Sequence, residues 1–415
     1  MGKLTSWLRQ AVAAEATDSP RCVVEGLENR LLLASPKVAW MVADNRGDVT
    51  MRIRDLDAAT VNNRSVLVYL AGDDNTLGTA DDQNVRARIK YKNARKLKIN
   101  VTMDPDTPYR IRLLGTSIKD TYGRFLDGEF NGVNVKSGDG RRGGDFDVSL
   151  ATPSNVARFA TRAGEIYALL DSDKPNTLAN FQLYANATVW DGTFIHRSSD
   201  DGFGNPFVIQ GGGFRVELDD EISRAPSVAG IDVEVGGSHL RGTIGMARGG
   251  STTSNTNQWF FNLADNTFLD AGVDGFGQKF GYTKFGQIVA GPNQASAAAG
   301  LAVMDRIYND YDVVDASGDP AVTGDPAIAA AMTDLPVTDE ADFIANGLNP
   351  RAHLVHISRV SFLMSAVRTG TAPTLAPASA QPADEVLVAA VRPGAVFAKV
   401  PSGDDLLRDD GGVLV

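Results

Sequence analysis

Two short stretches decide the fold of the larger part of this chain. Residues 190–197 read WDGTFIHR, and residues 207–213 read FVIQGGG. Their aromatic and β-branched residues predict strands, and their glycines permit tight bends or the close approach of a neighbouring backbone. Before them, residues 164–170 read GEIYALL and predict a further strand. Pro175 then opens a segment with apolar residues at helical spacing, so a strand, a helix and two more strands are expected in this order.

The composition is that of a mainly β protein with more than one folded unit. The 415 residues exceed what one hydrophobic core usually organises. Hydrophobic residues make up 43% of the chain, which suffices for ordinary cores, and 42 glycines favour turns and strands over long helices. We therefore expect two folded units with tails.

Charge and hydropathy exclude two classes of partner. The formal charge at pH 7 is −11, which repels phosphate backbones, and no cluster of Lys and Arg among aromatic residues offsets it, so nucleic acid is not expected. No apolar run approaches the roughly 18 residues that cross a bilayer, so no membrane span is expected. Cys22 is the only cysteine, which excludes an intrachain disulfide and weakly favours an exported bacterial protein.

Residues 1–34 are predicted to be a sorting segment. They lack the basic start and continuous apolar stretch of a secretory signal. Residues 23–34, VVEGLENRLLLA, resemble instead a segment near the N-terminus of many planctomycete surface and exported proteins, with Asn29 in place of the usual proline. The resemblance implies a secreted, periplasmic or cell-surface bacterial protein. A short amphipathic helix is the alternative interpretation of the same residues.

Residues 35–148 are predicted to form a β-sandwich. Apolar and polar residues alternate in stretches such as 49–54 and 97–102, and turn residues separate about seven such stretches. Residues 108–120 and 123–128 resemble the closing strand and tail of bacterial Ig-like domains of surface proteins. The resemblance implies a spacer or adhesive module that contacts the cell surface or matrix.

Four further blocks follow the two opening stretches in order. They are 242–248 (GTIGMAR), 258–263 (QWFFNL), 268–270 (FLD) and 282–286 (YTKFG). With residues 190–213, these blocks resemble the cyclophilins, which are peptidyl-prolyl cis/trans isomerases. The resemblance implies an isomerase domain over 155–365, built as a closed antiparallel β-barrel of eight strands. The resemblance also implies helices over its openings, and these are expected at 175–186 and 301–309, where apolar residues recur at helical spacing.

The same resemblance assigns roles to individual residues. Arg197 takes the place of the family's catalytic arginine. The substrate-binding positions fall on Phe207, Val208, Gln210, Ala247, Arg248, Gln258, Phe260, Phe268, Leu269 and Tyr282. Gly213 departs from the family's usual aspartate, Trp259 from phenylalanine, and Phe268 from the tryptophan of cyclosporin-sensitive members. Phe268 therefore predicts weak inhibition by cyclosporin.

The chemistry of X-Pro rotation agrees with these residue types. The barrier is about 18 to 20 kcal/mol because the amide must lose its conjugation, and no covalent chemistry is required. A catalyst needs an apolar wall for the proline ring and a donor that favours the twisted amide over the planar forms. The guanidinium of Arg197 is such a donor. We therefore predict a non-covalent isomerase of proline-containing polypeptides that needs no cofactor and no metal.

A second hypothesis from another class stays open. It is a surface binding or adhesive protein whose barrel grips proline-containing segments with little catalysis. Arg197 favours the enzyme, because a pure binder does not need the charged donor. His196 is expected to be a satisfied interior histidine, since alternation along a strand turns neighbours to opposite faces. The acidic turns at 72–75 and 137–140 lack the spacing of an EF-hand loop and are expected to be solvated.

Three segments surround the expected barrel. Residues 271–280 have the character of an insertion beside the pocket, and residues 313–340 enlarge the region before a last strand over 354–363. Loops at the rim of a site alter which substrates enter. Residues 366–415 are predicted to be a linker, rich in Thr, Ala, Pro and Ser, followed by a tail.

Overall fold

The computed structural model describes residues 34–130, 136–272, 280–322 and 324–368. The strands before residue 146 are β1 (Val38–Ala43), β2 (Asp48–Ile53), β3 (Val66–Leu70), β4 (Gln83–Val85), β5 (Arg88–Lys92), β6 (Lys96–Asn100) and β7 (Tyr109–Leu113). The later strands are β8 (Phe146–Thr161), β9 (Gly164–Leu170), β10 (Thr193–Asp200), β11 (Pro206–Val216), β12 (Ile222–Arg224), β13 (Thr243–Met246), β14 (Trp259–Asn262), β15 (Lys284–Ile288), β16 (Asp312–Val314), β17 (Leu335–Val337) and β18 (Val355–Arg368). The α-helices are α1 (Pro175–Asn186), α2 (Ala298–Asn309), α3 (Pro326–Ala329), α4 (Glu340–Asn346) and α5 (Pro350–His353), and 3₁₀ turns lie at Ala58–Thr60 and Thr267–Leu269. The sorting segment, all but its last residue, and the tail after residue 368 lie outside the described residues.

Eight strands form a closed antiparallel barrel. Hydrogen-bonded neighbours follow the order β18, β10, β11, β14, β13, β15, β9 and β8, and β8 pairs again with β18 to close the ring. Its interior is one apolar core that includes Phe159, Ile209 and Phe261. The Phe159 ring meets Trp259 edge-on, with ring centroids 4.8 Å apart. The mainly β fold with an eight-stranded barrel is the one predicted from the sequence.

Helices α1 and α2 pack on the core of the barrel. Helix α1 begins at Pro175. Proline has no backbone N–H, and at the first position of a helix this N–H would have no acceptor within the helix, so no hydrogen bond is lost. Phe181 of α1 is fully buried, with its ring centroid 4.5 Å from that of Trp190. One face of α2 buries Val303, Met304 and Ile307. Helix α1 has the predicted bounds, whereas α2 begins at Ala298, one turn earlier than expected. Among the described residues, no helix has the length and apolar character to cross a membrane.

Two sheets pack face to face in the N-terminal unit. One has the strand order β1, β2, β6, β5, and the other continues from β8 through β7 and β3 to β4. In β2, Val49, Met51 and Ile53 are fully buried, as the alternation of the sequence predicts. They share one core with Ile111 and Val148 of the opposite sheet. This arrangement is a β-sandwich, and the finer resemblance to Ig-like domains stays a prediction.

Strands β8 and β18 belong to both units. Residues 146–150 of β8 pair with β7 in the sandwich, and residues 156–161 pair with β9 in the barrel. Strand β18 follows β8 antiparallel, from Ile357 opposite Thr161 to Arg368 opposite Val148. The segment between the two predicted domains, 149–154, therefore lies inside one continuous strand.

Polar groups join the two units at the start of this shared ribbon. Asp44 follows β1 and is fully buried. Its Oδ2 lies 3.6 Å from Nη1 of Arg158 on β8 and 3.5 Å from Nη1 of Arg359 on β18. Nearby, Arg46 of the sandwich donates to both carboxylate oxygens of Asp191 in the barrel, at 2.9 and 2.5 Å. These contacts fix the sandwich to the barrel at two independent points.

Residues 312–354 add a small layer outside the barrel. β16 pairs antiparallel with β17, and α3 lies between them in sequence. Buried apolar side chains of this layer include Val314, Ile328, Met332 and Leu335. They share a core with Phe194 of β10 and Phe214 of β11. The predicted enlargement over 313–340 is thus a packed element rather than an open loop.

Candidate active site

A row of side chains crosses the outer face of the barrel. Arg197 on β10 is opposite Gln210 on β11, Gln210 is opposite Phe260 on β14, and Phe260 is opposite Gly245 on β13. Gly245 makes room for the aromatic ring, since a Cβ there would lie 2.4 Å from Cζ of Phe260. Because strand residues alternate between faces, the neighbours Ile209, Phe261 and Ile244 point into the barrel core. The row therefore places a cation, an amide and an aromatic ring side by side.

An apolar cluster lies at the Phe260 end of this row. Its buried members are Phe207, Val208, Ala247, Phe260, Leu269 and Tyr282. Phe268 packs on the cluster from outside, with its ring stacked on that of Phe207 at 5.5 Å between centroids. The seven apolar members of the predicted substrate-binding set thus lie together in this cluster. Whether they bind the proline ring stays a prediction.

The Arg197 end of the row opens into a cavity of about 320 Å³. Arg197, Gln210, Ala247, Arg248 and Gln258, all predicted site residues, line it. The barrel and its loops also contribute His196, Gly213, Arg224 and Asn257, and the outer layer contributes Ala330, Ala331, Thr333 and Asp334. Ala247 belongs to both the cavity and the apolar cluster, so the two form one continuous site.

Three residues that line the cavity have a polar atom buried without a hydrogen-bond partner among the described residues, and two of these atoms belong to Arg197 and Gln210. They are Nη1 of Arg197 and Oε1 of Gln210. The other end of the Gln210 amide is fixed, because its Nε2 donates to Oε1 of Gln258 at 2.9 Å. A buried donor and a buried acceptor left unpaired cost free energy. Arg197 therefore contributes one unpaired donor to the site, and Gln210 contributes one unpaired acceptor.

His196 departs from the expected geometry. The pairing of β10 with β11 shifts register between Ile195 and Arg197, and this bulge interrupts the alternation of faces. His196 and Arg197 consequently line the same cavity, so the prediction that they face opposite sides is wrong. The imidazole is 2% exposed, as expected of an interior histidine, but its Nδ1 has no hydrogen-bond partner in the described structure. Burial, with the adjacent Arg197 charge, lowers its pKa to about 3, so it is neutral at physiological pH.

Residues 156–319 match the family model described as cyclophilin type peptidyl-prolyl cis-trans isomerase/CLD. Over 142 residues the chain is 38% identical to peptidyl-prolyl cis-trans isomerase A of Dickeya dadantii, and the alignment covers 34% of this chain and 69% of that protein. Over 168 residues it is 31% identical to a peptidyl-prolyl cis-trans isomerase of Acinetobacter baylyi, and this alignment covers 40% of this chain and 79% of that protein. This chain belongs to the cyclophilin-type peptidyl-prolyl cis-trans isomerases. A solved cyclophilin-type isomerase of Cryptosporidium parvum, determined in the presence of the dipeptide Ala-Pro, aligns at 16% identity with a TM-score of 0.30, over 50% of this chain and 98% of that chain.

Arg248 of this cyclophilin is held in place by the rim of the site. Its Nε donates to the Gly281 carbonyl at 2.9 Å and its Nη1 to the Gly249 carbonyl at 2.8 Å. The guanidinium lies over the ring of Tyr282, 4.6 Å from the centroid. Arg248 therefore fixes the ring of Tyr282, which is a wall of the apolar cluster.

A buried polar network supports the cyclophilin pocket from behind. His239 is fully buried and stacks on Phe260 at 5.6 Å between ring centroids. Asn262 Nδ2 donates to its Nδ1 at 3.2 Å, so Nε2 carries the proton that faces the Tyr282 carbonyl at 3.3 Å. Asn266 Nδ2 donates to the Phe207 carbonyl at 2.9 Å. The network thereby contacts three walls of the pocket, which are Phe260, Tyr282 and Phe207.

Two residues near the cyclophilin site were not found from the sequence. His239 stands alone in a stretch with no motif, and its position under Phe260 depends on strand pairing across the barrel. Asp334 contacts Arg197, 137 residues away in sequence. No local pattern distinguishes it from the other acidic residues of the outer layer. The family match also ends at residue 319, before Asp334.

Proposed function

We propose that this cyclophilin accelerates rotation about X-Pro bonds through Arg197 and the adjoining apolar cluster. The observation that carries the proposal is the unpaired Nη1 of Arg197, buried beside the unpaired Oε1 of Gln210. Gln210 lies between Arg197 and Phe260 in the strand register, so a proline ring on the cluster would bring its carbonyl and its nitrogen toward the guanidinium. The substrate class is a polypeptide segment that contains proline.

The guanidinium acts on the twisted amide rather than on either planar form. In a planar X-Pro amide, the nitrogen lone pair is delocalised into the carbonyl and accepts no hydrogen bond. Twisting localises that lone pair on nitrogen, and a fixed cationic donor then stabilises it. The interaction is stronger in the transition state than in the ground state, which is the condition for a faster reaction. A millionfold acceleration corresponds to about 8 kcal/mol, which one such donor, an apolar pocket and peptide anchors share.

Replacing Arg197 tests this assignment. Arg197→Ala removes the donor and leaves the apolar cluster intact, so kcat/KM for an Ala-Pro peptide is expected to fall about a hundredfold. Arg241→Ala is the matched control. Arg241 also pairs with a carboxylate, since it lies 2.7 Å from Asp305, but it does not line the cavity. A protease-coupled assay that cleaves only the trans peptide measures both variants. Equal activity of Arg197→Ala and wild type would overturn the role of Arg197.

Export and surface attachment are the second part of the proposal. The support is the resemblance of residues 23–34 to sorting segments and the single cysteine. The sandwich would then hold the isomerase at the cell surface or matrix, where it acts on exported proteins. Fractionation of cells that express the full chain, followed by N-terminal sequencing, is expected to recover it with the envelope or medium. A version without residues 23–34 should stay in the cytosol, and cytosolic recovery of the full chain would contradict export.

A further inference from the structure

The outer layer reaches the predicted catalytic residue through one carboxylate. Nε of Arg197 donates to Oδ2 of Asp334 at 3.2 Å. The Arg197 side chain is 16% exposed and that of Asp334 is 38% exposed, so the pair is partly shielded from water. The contact uses Nε and leaves Nη1 for the site. One edge of the guanidinium is therefore fixed, and the other edge carries an unpaired donor in a residue that lines the cavity.

Asp334 is itself held rigidly, independently of its side chain. Its carbonyl accepts a hydrogen bond at 2.9 Å from the N–H of Ser198, the residue after Arg197 on β10. On either side of it, Met332 and Leu335 are fully buried in the core of the outer layer. The backbone of residue 334 is thus tied to the strand that carries Arg197. A change of the side chain alone should leave this backbone contact in place.

We propose that Asp334 is a positioning residue that holds the Arg197 guanidinium in the orientation required for isomerisation. An arginine side chain has several rotatable bonds, and a free one loses rotamer entropy when it is fixed. The ion pair with Asp334 orders the Arg197 side chain before the substrate binds, so this entropy is not lost during the reaction. A neighbouring carboxylate also reduces the local positive charge, which would weaken the donor. The orientation effect dominates here, because Asp334 contacts only the Nε edge and its carboxylate is partly hydrated.

This inference rests on the assignment of Arg197 above and concerns a segment beyond the family match. The outer layer, through Ala330, Ala331, Thr333 and Asp334, then forms one wall of the active site. Its role is to order the catalytic side chain as well as to bound the cavity.

Substitution of Asp334 tests the proposal. In Asp334→Ala, kcat/KM for an Ala-Pro peptide should fall about five- to tenfold, since the lost contact is a charge-assisted hydrogen bond. Asp334→Asn keeps an acceptor for Nε and should fall less. The affinity for the peptide, measured by NMR titration, should change less than about twofold, because Asp334 acts on the donor and not on the pocket. Asp305→Ala is the matched control, since Asp305 pairs with Arg241 at 2.7 Å and at 44% exposure, and neither residue lines the cavity.

A double-mutant cycle separates positioning from a structural defect. In the Arg197→Ala background, Asp334→Ala should cause no further loss, because no guanidinium remains to be held. An equal loss in both backgrounds, or unchanged or higher activity of Asp334→Ala, overturns the proposal while Arg197 keeps its role. If Arg197→Ala is itself as active as wild type, the proposed function and this inference both fall. Urea unfolding of each variant shows whether the fold is retained.

Discussion

The bulge at His196 sets which side chains face the cavity. Without the register shift between Ile195 and Arg197, strict alternation would turn His196 and Arg197 to opposite faces. With the shift, a neutral imidazole lies beside the guanidinium in the same cavity. The residue types of the site were predictable from the sequence, because short blocks carry them. The bulge was not, since it depends on pairing with β11.

The buried imidazole predicts a loss of stability in acid. The pKa of His196 is about 3 in the folded protein, against about 6.5 for an unperturbed histidine. Below pH 6.5 the unfolded chain binds a proton that the folded protein does not, so stability falls as the pH drops from about 6.5 toward about 3. Between pH 7 and pH 5 this one group costs about 2 kcal/mol.

Comparison with His196→Asn isolates that contribution. Urea unfolding at pH 7 and pH 5 should show that wild type loses about 2 kcal/mol more than the variant over this interval. The other histidines are common to both proteins and cancel in the difference. The same pH dependence in both proteins would show that His196 can be protonated without cost in the folded state.

Among the elements, those with strong local signals were predicted most closely. Strand β9 and helix α1 have the bounds that alternation, helical spacing and Pro175 indicate. Strand β18 runs on to Arg368, beyond the expected end at 363, because it pairs with β8 along the sandwich as well. That extension depends on a partner some 200 residues away, and the sequence of β18 alone does not reveal it.

The outer layer shows a second limit of local patterns. Its apolar residues were visible in the sequence, but their common core with Phe194 and Phe214 was not. Phe194 is fully buried, but it packs under the outer layer and not in the core of the barrel. The contact between Asp334 and Arg197 follows from this packing. An acidic residue at the site therefore came from a segment whose sequence suggested only a longer loop.

At the scale of the whole molecule, the shared ribbon makes the sandwich and the barrel one structural unit. Asp44 lies at their junction, fully buried between Arg158 and Arg359. Asp44→Ala leaves both guanidinium groups without this carboxylate and should lower the free energy of unfolding by about 3 kcal/mol. Asp145→Ala removes a more exposed pair with Arg112 inside the sandwich and should cost no more than about 1 kcal/mol.

Urea unfolding of Asp44→Ala and of Asp145→Ala measures the two changes in the free energy of unfolding. Hydrogen exchange should also show that Asp44→Ala loses protection in β7 and in β10 together, since β8 and β18 couple the two units. Loss confined to the sandwich would mean that the barrel is stable on its own and that the ribbon does not transmit the defect.

The central claim is that this cyclophilin catalyses X-Pro rotation through Arg197 and does not merely bind proline-containing segments. Exchange between the cis and trans forms of an Ala-Pro peptide, followed directly by NMR, tests it in one set of spectra. Uncatalysed exchange takes tens to hundreds of seconds. Wild type should bring exchange to well below one second, whereas Arg197→Ala at the same concentration should bind the peptide and exchange it about a hundredfold more slowly. Peptide shifts that report binding to wild type without faster exchange would contradict the claim and leave a binding protein.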